Sequence, residues 1–178
     1  HDMMCGQYNS QRLLPSSGHQ HKRYTHHRLL LRIYQRVNIN SLSGSRRNIS
    51  AHYDLGNEFF NLFLDPTMMY SAAVYPSADA SLEQASLHKL DLLCQQLELK
   101  AEDHLLEIGT GWGGMAIFAA QKYGCRVTTT TISQEQYKHA SDRVRELGLE
   151  DQITLLCEDY RKLEGQYDKI VSIEMIEA

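Results

Sequence analysis

The sequence has no apolar run approaching the ~18 residues that a membrane-spanning helix needs. Its first 30 residues lack the apolar stretch of a secretory signal peptide and instead hold five of the nine histidines. The four cysteines are widely spaced and form no C-x-x-C pair, which indicates reduced thiols. We therefore expect a cytoplasmic protein with no transmembrane segment and no metal site.

Positive charge is scarce in most of the chain but concentrated at its start. Residues 1–50 carry eight Lys and Arg against one acid, whereas residues 51–178 carry ten against 21. A basic lead of this kind indicates attraction to lipid headgroups or nucleic acid, or a solvated terminus without a partner. Few aromatic residues interleave with the basic ones, and the body is acidic, so we expect no nucleic-acid partner.

One stretch, Leu105 to Gly114 (LLEIGTGWGG), predicts a buried parallel strand, a tight turn and a helix N-terminus. The turn lacks the Lys-Ser/Thr pair of a P-loop, which disfavours triphosphates. It also lacks the full G-x-G-x-x-G spacing, which disfavours dinucleotides. A nucleoside with an amino-acid tail, S-adenosylmethionine, is the favoured ligand. The alternative is a glycine turn that only closes a βα unit.

The rest of the chain predicts alternating helices and strands. Residues 23–37 show one apolar helical face with arginines on another. Asn57 is expected to cap a short helix that Asp65-Pro66 ends. The remaining predictions are a helix from Ser81 to Leu97 with Ala85, Leu87, Leu90, Leu93 and Leu97 on one face, a helix that Ser133 caps and that runs to Leu147, and strands Leu105–Ile108, Arg126–Ile132, Gln152–Cys157 and Tyr167–Ile173. This order predicts an α/β fold with a doubly wound parallel sheet.

In such a sheet, ligands bind at the carboxyl ends of the strands. The polar residues there are Glu107 with the glycines, Thr131, Ser133, Asp159, Glu174 and Glu177. Threonines follow the second strand in place of the acid that usually holds a ribose, so the ribose partner stays open. Six of the fourteen Tyr and Phe residues fall between residues 53 and 75. They suit an apolar substrate channel or a packed core, and the pattern favours the core.

These residues resemble the cyclopropane-fatty-acyl-phospholipid synthases and the related mycolic acid cyclopropane synthases. The resemblance covers residues 45–178. It rests on SRRNISAHYDLGNEFFNLFLDPTMMYS, LLEIGTGWGGMAIFAA, TTTTISQEQ, CEDY and KIVSIEMIEA. It implies a class I methyltransferase fold, Rossmann-like, that binds S-adenosylmethionine. It also implies methylene transfer to the cis double bond of phospholipid acyl chains through a carbocation, with bicarbonate accepting the proton.

The resemblance also assigns residues. Contacts to the cofactor are expected from Tyr70, Ser71, Glu107, Gly109, Thr110, Gly111, Gly113, Thr131, Ser133, Gln136, Asp159 and Tyr160. Glu177 is expected to help hold the bicarbonate, and Tyr53, with Phe59 or Phe60, to stabilise the carbocation. Ala72, Thr110 and Ala178 replace residues that are often Cys, Cys and His in the family. A backbone N–H would then have to serve the bicarbonate in place of the cysteine at residue 72.

The expected organisation is a basic extension or linker at residues 1–48, a helical cap and substrate-entry segment at 49–104, and the first half of a methyltransferase domain at 105–178. A C-terminally truncated sheet would expose an unpaired edge, so we expect the 178-residue chain alone to be inactive and poorly soluble. Peripheral contact with the inner face of the membrane is expected, and a homodimer is left open. The alternatives are a fatty-acyl methyltransferase giving a branched chain, a small-molecule methyltransferase, or an inactive cofactor-binding remnant.

Overall fold

A computed structural model describes residues 56–175 of the chain. The predicted helix at residues 23–37 and the predicted catalytic residues Tyr53 and Glu177 lie outside this range. In chain order the elements are α1 (Gly56–Asn61), α2 (Leu82–Gln96), β1 (His104–Ile108), α3 (Gly114–Tyr123), β2 (Arg126–Thr130), α4 (Gln134–Glu146), β3 (Ile153–Leu156), a 3-10 helix (Tyr160–Lys162) and β4 (Lys169–Ser172). Within the described range, no helix is both long enough and apolar enough to cross a membrane.

The four strands form one sheet in the order β3-β2-β1-β4, and every pair in it is parallel. The register brings the strand ends into line, because Ile108 pairs with both Thr130 and Ser172, and Thr130 also pairs with Leu156. The predicted α/β class with a parallel sheet is confirmed. A single edge therefore collects the carboxyl ends of all four described strands, where a ligand site is expected.

The core lies between the sheet and the helices that cover it. Helix α3 packs on β2, α4 on β3, and α2 on α3. Side chains from each of these elements are fully or almost fully buried there: Leu90, Cys94, Leu105, Met115, Ala119, Val127, Val144 and Ile153. Burying a side chain such as Leu contributes about 1.5–3 kcal/mol, so this core fixes the positions of the strand ends.

Helix α2 begins as predicted, and Ala85 and Leu90 of the predicted face are buried, but the rest of the buried face differs. Ser81 is the N-cap, and its side chain and that of Gln84 form a reciprocal capping box. The expected burial of Leu87 is wrong, because that side chain is 37% exposed. Ser86 is buried instead, since its hydroxyl donates to Asp65 Oδ1 at 3.0 Å. A hydrogen-bonded serine is thus buried on this helix, where the periodicity predicted a buried leucine.

The segment before α2 corrects a second expectation. Asn57 lies within α1 rather than ahead of it, and α1 ends at Asn61, before Asp65-Pro66. Asp65 organises the turn that follows, because its Oδ2 accepts the N–H of Thr67 at 2.9 Å. Asp65 therefore anchors a loop through side-chain hydrogen bonds instead of ending a helix.

Candidate functional site

A cleft of about 470 Å³ opens at the carboxyl ends of the strands. Its walls come from residues 68–71, the glycine turn after β1, and the residues that follow β2, β3 and β4. Ten of the twelve residues predicted to contact a cofactor line it: Tyr70, Ser71, Glu107, Gly109, Thr110, Gly111, Thr131, Gln136, Asp159 and Tyr160. These ten residues come from four separate segments of the sequence and meet in one place. Their role in binding stays a prediction.

The other two predicted residues do not line the cleft but lie next to residues that do. Gly113 is the N-cap of α3 at φ +89°, and a Cβ there would lie 3.3 Å from Ala140 Cβ and from Ile117 Cδ1. Ser133 is the buried N-cap of α4, and its side chain accepts the N–H of Gln136 at 3.3 Å. Gly113 therefore lets α3 approach α4 closely, and Ser133 fixes the start of α4.

The glycine turn faces the cleft with bare backbone. Gly109 and Gly111 have φ values of +95° and +53°, in the region that side chains disfavour. A Cβ at Gly111 would meet no atom within 4 Å, so the backbone there is open to a ligand. Helix α3 starts three residues later and directs its free N–H groups and the positive end of its dipole toward this turn.

A buried carboxyl group lies beneath this turn. Glu107 is 3% exposed, and its Oε2 accepts the Thr129 hydroxyl at 2.6 Å. Thr129 Oγ1 lies 2.7 Å from Thr110 Oγ1, so a chain of hydroxyl groups runs from the turn to the acid. Burial raises the pKa of Glu107 to about 8. A cationic group entering the cleft would stabilise the ionised form of Glu107, so this side chain suits an ammonium or a sulfonium ligand.

A covering segment, residues 65–71, closes over the start of α3. A Cβ on Gly114 would lie 2.7 Å from the Thr67 carbonyl oxygen, so only glycine allows this approach. Arg143 of α4 secures the contact, since its Nη1 donates to the Trp112 carbonyl at 2.8 Å and to the Thr67 carbonyl at 3.3 Å. Sequence reasoning missed Arg143, because an arginine in the last turn of a helix is the usual partner of the helix dipole.

Aromatic rings form the wall beside the covering segment. Phe60 is 3% exposed, and its ring lies 4.7 Å from that of Trp112 and 5.4 Å from that of Tyr70, centroid to centroid. Phe59 and Phe63 are about half exposed. The interpretation as core is right for Phe60, whereas its neighbours on α1 and in the next turn stay at the surface.

The predicted segment after β2 is one hydrogen-bonded unit. The Thr131 hydroxyl donates to Gln136 Oε1 at 2.9 Å and accepts the Ser133 N–H at 3.1 Å. This arrangement uses the carbonyl oxygen of Gln136 and not its NH₂ group. The threonine and the glutamine are thus oriented together at the mouth of the cleft.

At the far side, Asp159 is held by a residue that the sequence analysis did not single out. Arg161 donates to Asp159 Oδ1 through its backbone N–H at 3.0 Å and its Nε at 2.7 Å, and to Oδ2 through Nη2. These bonds hold the pKa of Asp159 below its usual range, even though the side chain is buried. Asp159 therefore presents a fixed, ionised carboxylate to the cleft.

A polar cluster joins the covering segment to the end of β4. The Ala72 N–H donates to Glu174 Oε1 at 3.1 Å. Lys89 of α2 donates from Nζ to Ser71 Oγ at 2.5 Å and to the Ala72 carbonyl at 2.9 Å, and it lies 3.6 Å from Glu174 Oε1. The backbone N–H of Ala72 is thus bonded within the chain. Lys89 gave no sequence signal, because it reads as one more surface lysine of an amphipathic helix.

Comparison with known proteins gives a consistent result. Residues 40–178 match the profile of the family described as mycolic acid cyclopropane synthetase. The chain is 47% identical over 131 residues, 72% of its length, to a probable fatty acid methyltransferase of Pseudomonas putida. It is also 47% identical over 126 residues, 71% of its length, to the cyclopropane-fatty-acyl-phospholipid synthase of Escherichia coli K12. These matches cover 33% and 32% of the two relatives, so the chain spans about a third of their length.

Solved structures agree with the sequence relatives. The cyclopropane synthase MmaA2 of Mycobacterium tuberculosis matches with a TM-score of 0.71 and 36% identity, over 74% of this chain and 46% of that one. Mycolic acid cyclopropane synthase CmaA1, solved as a complex with SAH and CTAB, matches with a TM-score of 0.69 and 36% identity, over 72% of this chain and 45% of that one. The fold is that of the class I methyltransferases.

Proposed function

This chain belongs to the mycolic acid cyclopropane synthetase family, and on that basis we propose that its protein converts the cis double bond of phospholipid acyl chains into a cyclopropane ring, with S-adenosylmethionine as donor. Membership in this family indicates an S-adenosylmethionine-dependent enzyme that modifies lipids. The observation that carries the proposal is the cleft at the carboxyl ends of the strands, where ten of the predicted residues meet.

The described residues fit S-adenosylmethionine. A volume of about 470 Å³ lies within the usual range of small-ligand sites, about 300–1,000 Å³. Glu107 offers a buried carboxyl to a cationic tail, and the turn at Gly111 leaves room for close approach. Asp159 and Tyr160 would hold the nucleoside end. When bound, S-adenosylmethionine supplies an electrophilic methyl group on a positively charged sulfur.

The chain's own contribution is positioning and exclusion of water. An alkene is a weak nucleophile, so its reaction depends on being held against the methyl donor in a dry, apolar site. Trp112 gives the cleft an apolar wall, with the Phe60 ring packed against it, and Arg143 holds the covering segment in place over α3. Rings of this kind also stabilise a nearby cation without reacting with it.

Contact with a lipid surface is supported by exposed apolar side chains on α1 and in the turn that follows it. Phe59 is 44%, Leu62 82% and Phe63 48% exposed. Large apolar side chains clustered at a surface mark interaction sites, and these lie beside the wall of the cleft. We propose that they meet the acyl chains when the protein approaches the membrane as a peripheral protein. Bicarbonate, Tyr53 and Glu177 stay expectations of the family resemblance.

A second outcome is a methyl-branched acyl chain instead of a ring. It is favoured by the Pseudomonas putida relative, which matches this chain as well as the Escherichia coli enzyme does and is named a probable fatty acid methyltransferase. Both outcomes share the cleft and the methyl donor, and they differ in the fate of the methylated acyl chain.

The test expresses the protein from its natural gene in a bacterial host that lacks such enzymes, and analyses membrane fatty acids by gas chromatography–mass spectrometry. We expect acyl chains that have gained one CH₂, lost the double bond and resist hydrogenation. Glu107→Ala should reduce the product at least about tenfold, because a cationic ligand loses its charged partner. The exposed Glu164→Gln is the matched control and should leave the product unchanged.

The alternatives give different results in the same experiment. A branched chain in place of the ring would keep the cleft and the donor but change the product. Unmodified lipids from a protein that binds S-adenosylhomocysteine would contradict a lipid substrate and point to a different acceptor.

A further inference from the structure

The amino-acid tail of S-adenosylmethionine carries an ammonium group and a carboxylate, and the two need opposite surroundings. This inference rests on the proposed function, since it takes S-adenosylmethionine as the ligand of the cleft. Glu107 suits the ammonium group, because its buried carboxyl is an acceptor that a cation would ionise. The carboxylate of the tail needs hydrogen-bond donors or a nearby cation when it leaves water.

The charged side chains that line the cleft are unfavourable for an anion. Four of the five within the described residues are acids, Glu107, Glu158, Asp159 and Glu174. The fifth, Arg161, is bonded to both carboxylate oxygens of Asp159, after β3 and beside the place expected for the nucleoside. A tail that extends toward the covering segment, at the β4 side of the sheet, therefore requires a donor from outside this set.

Lys89 of α2 places a cation directly behind the end of the covering segment. Its Nζ lies 2.5 Å from Ser71 Oγ, 2.9 Å from the Ala72 carbonyl oxygen and 3.6 Å from Glu174 Oε1. The Lys89 side chain is only 13% exposed and does not itself line the cleft. Burial lowers its pKa, while the charge of Glu174 acts in the opposite direction and favours the ammonium form. The wall of the cleft at Ser71 is thus backed by a shielded ammonium group.

An ammonium group determines the role of the hydroxyl that it contacts. It carries three donors and no acceptor, so Ser71 Oγ has to accept the hydrogen bond from Lys89. The hydroxyl proton of Ser71 must then point elsewhere, and Ser71 Oγ has no other hydrogen-bond partner among the described residues. Because Ser71 lines the cleft, its proton is available to an acceptor that enters there.

We propose that Lys89 is a positioning residue, which makes the Ser71 hydroxyl a hydrogen-bond donor toward the carboxylate of the amino-acid tail. The ammonium group behind Ser71 polarises the hydroxyl and strengthens the bond that it donates. The positive charge of Lys89 also offsets part of the repulsion from the acids of the cleft. Glu107 and the Ser71–Lys89 pair thus distinguish the two ends of the tail, one as an acceptor and the other as a donor.

The test measures the affinity of the natural-gene protein for two ligands by calorimetric titration. One is S-adenosylhomocysteine, and the other is its decarboxylated analogue, which keeps the ammonium group but lacks the carboxylate. We expect the wild type to prefer S-adenosylhomocysteine about 10–100-fold, since the analogue loses a hydrogen bond to a charged group. Lys89→Met should lose most of this preference, and Lys89→Arg, whose guanidinium is also donor-only, should keep most of it. Lys138→Met, at an exposed position of α4, is the matched control and should bind both ligands as the wild type does.

A second set of variants separates positioning from a merely structural role. Ser71→Ala should lose the preference to about the same extent as Lys89→Met. The double variant should lose no more than about threefold beyond Ser71→Ala, because two residues that act through one hydrogen bond are not additive. Ser71→Ala leaves Lys89 bonded to the Ala72 carbonyl, so it stays informative if Lys89→Met proves unstable. The melting temperature of each variant is measured in parallel.

Four results would overturn the proposal. Lys89→Met or Ser71→Ala could keep the wild-type preference, which would place the carboxylate on the N–H groups of the glycine turn instead. Lys89→Met could lose affinity for both ligands equally, which would make Lys89 a structural support of the wall. The losses of the two single variants could multiply in the double variant, which would show that Lys89 does not act through Ser71.

Failure of the proposed function has a different signature. A wild type without affinity for S-adenosylhomocysteine would contradict the methyl donor, and this proposal with it. A wild type that binds S-adenosylhomocysteine with the expected preference but modifies no lipid would contradict the lipid substrate and support the role of Lys89.

Discussion

The amino ends of the strands form one edge of the sheet, the amino edge, and their carboxyl ends form the opposite one, the carboxyl edge. Both edges carry polar residues, but these residues have different surroundings. At the amino edge, the N–H of His104 donates to Asp168 Oδ2 at 2.8 Å, its Nε2 lies 2.8 Å from Thr128 Oγ1, and its ring packs on Tyr167 at 4.8 Å. At the carboxyl edge, Glu107 and its hydroxyl partners border the cleft. The first cluster is closed on itself, and the second faces an open space.

Desolvation shifts the pKa of one titratable group at each edge, in opposite directions. It lowers the pKa of His104 and raises that of Glu107, so each group is pushed toward its neutral form. The neutral histidine is packed between its neighbours. A cation entering the cleft would favour the charged form of the glutamic acid. The same physical effect thus keeps a packed histidine neutral at one edge and an acid beside an open cleft neutral at the other.

The largest expected difference between the edges is the effect of Glu107 on how the free energy of unfolding depends on pH. In the unfolded chain this carboxyl loses its proton near pH 4.5, whereas the folded protein holds it until about pH 8. The folded state therefore binds more protons between these values, and its free energy of unfolding falls with rising pH by up to ~1.4 kcal/mol per pH unit. We expect Glu107→Gln to remove this slope in urea unfolding at pH 5, 6.5 and 8.

The exposed Glu164→Gln serves as the control and should retain the wild-type slope. Equal slopes in the wild type and in Glu107→Gln would show that Glu107 ionises normally in the folded protein, and the contrast between the edges would lose its basis.

A smaller effect is expected from a single methyl group at the start of α3. A Cβ in Gly114→Ala would lie 2.7 Å from the Thr67 carbonyl oxygen and 2.8 Å from Met69 Sδ, so the covering segment has to move. Overpacking of this kind costs about 1–3 kcal/mol, partly offset by the better helix propensity of alanine. The affinity for S-adenosylhomocysteine should fall at least tenfold in calorimetric titration, because the displaced segment carries Tyr70 and Ser71.

Gly148→Ala is the matched control, since a Cβ there meets no atom within 4 Å although φ is +66°. It should lose stability through backbone strain but keep its affinity. A Gly114→Ala variant that binds as tightly as the wild type would mean that the covering segment does not shape the site.

The sequence was most informative where local rules decide the outcome. The strand and glycine turn from Leu105 to Gly114 were located correctly, and so was the start of α2 at Ser81, because periodicity, positive φ and end capping act over a few residues. Lys89 and Arg143 were missed because their partners lie 17 or more and 31 or more residues away. Their side chains act through contacts that only the folded chain brings together.

The smallest expected effect tests whether the amino edge is as separate as it looks. His104→Gln loses the packing on Tyr167 and weakens the bond to Thr128, which should cost about 1 kcal/mol. Because the folded pKa of His104 lies below its unfolded value, the wild type loses stability as pH falls below about 6.5. The variant should lose less over that range.

The affinity of the His104→Gln variant for S-adenosylhomocysteine shows whether the amino edge influences the cleft. His104 and Glu107 lie three residues apart on β1, about 10 Å along an extended strand, and they contact different partners. We therefore expect affinity to stay within twofold of the wild type. A change beyond fivefold would mean that β1 transmits the loss from one edge to the other, so that the closed cluster also sets the geometry of the site.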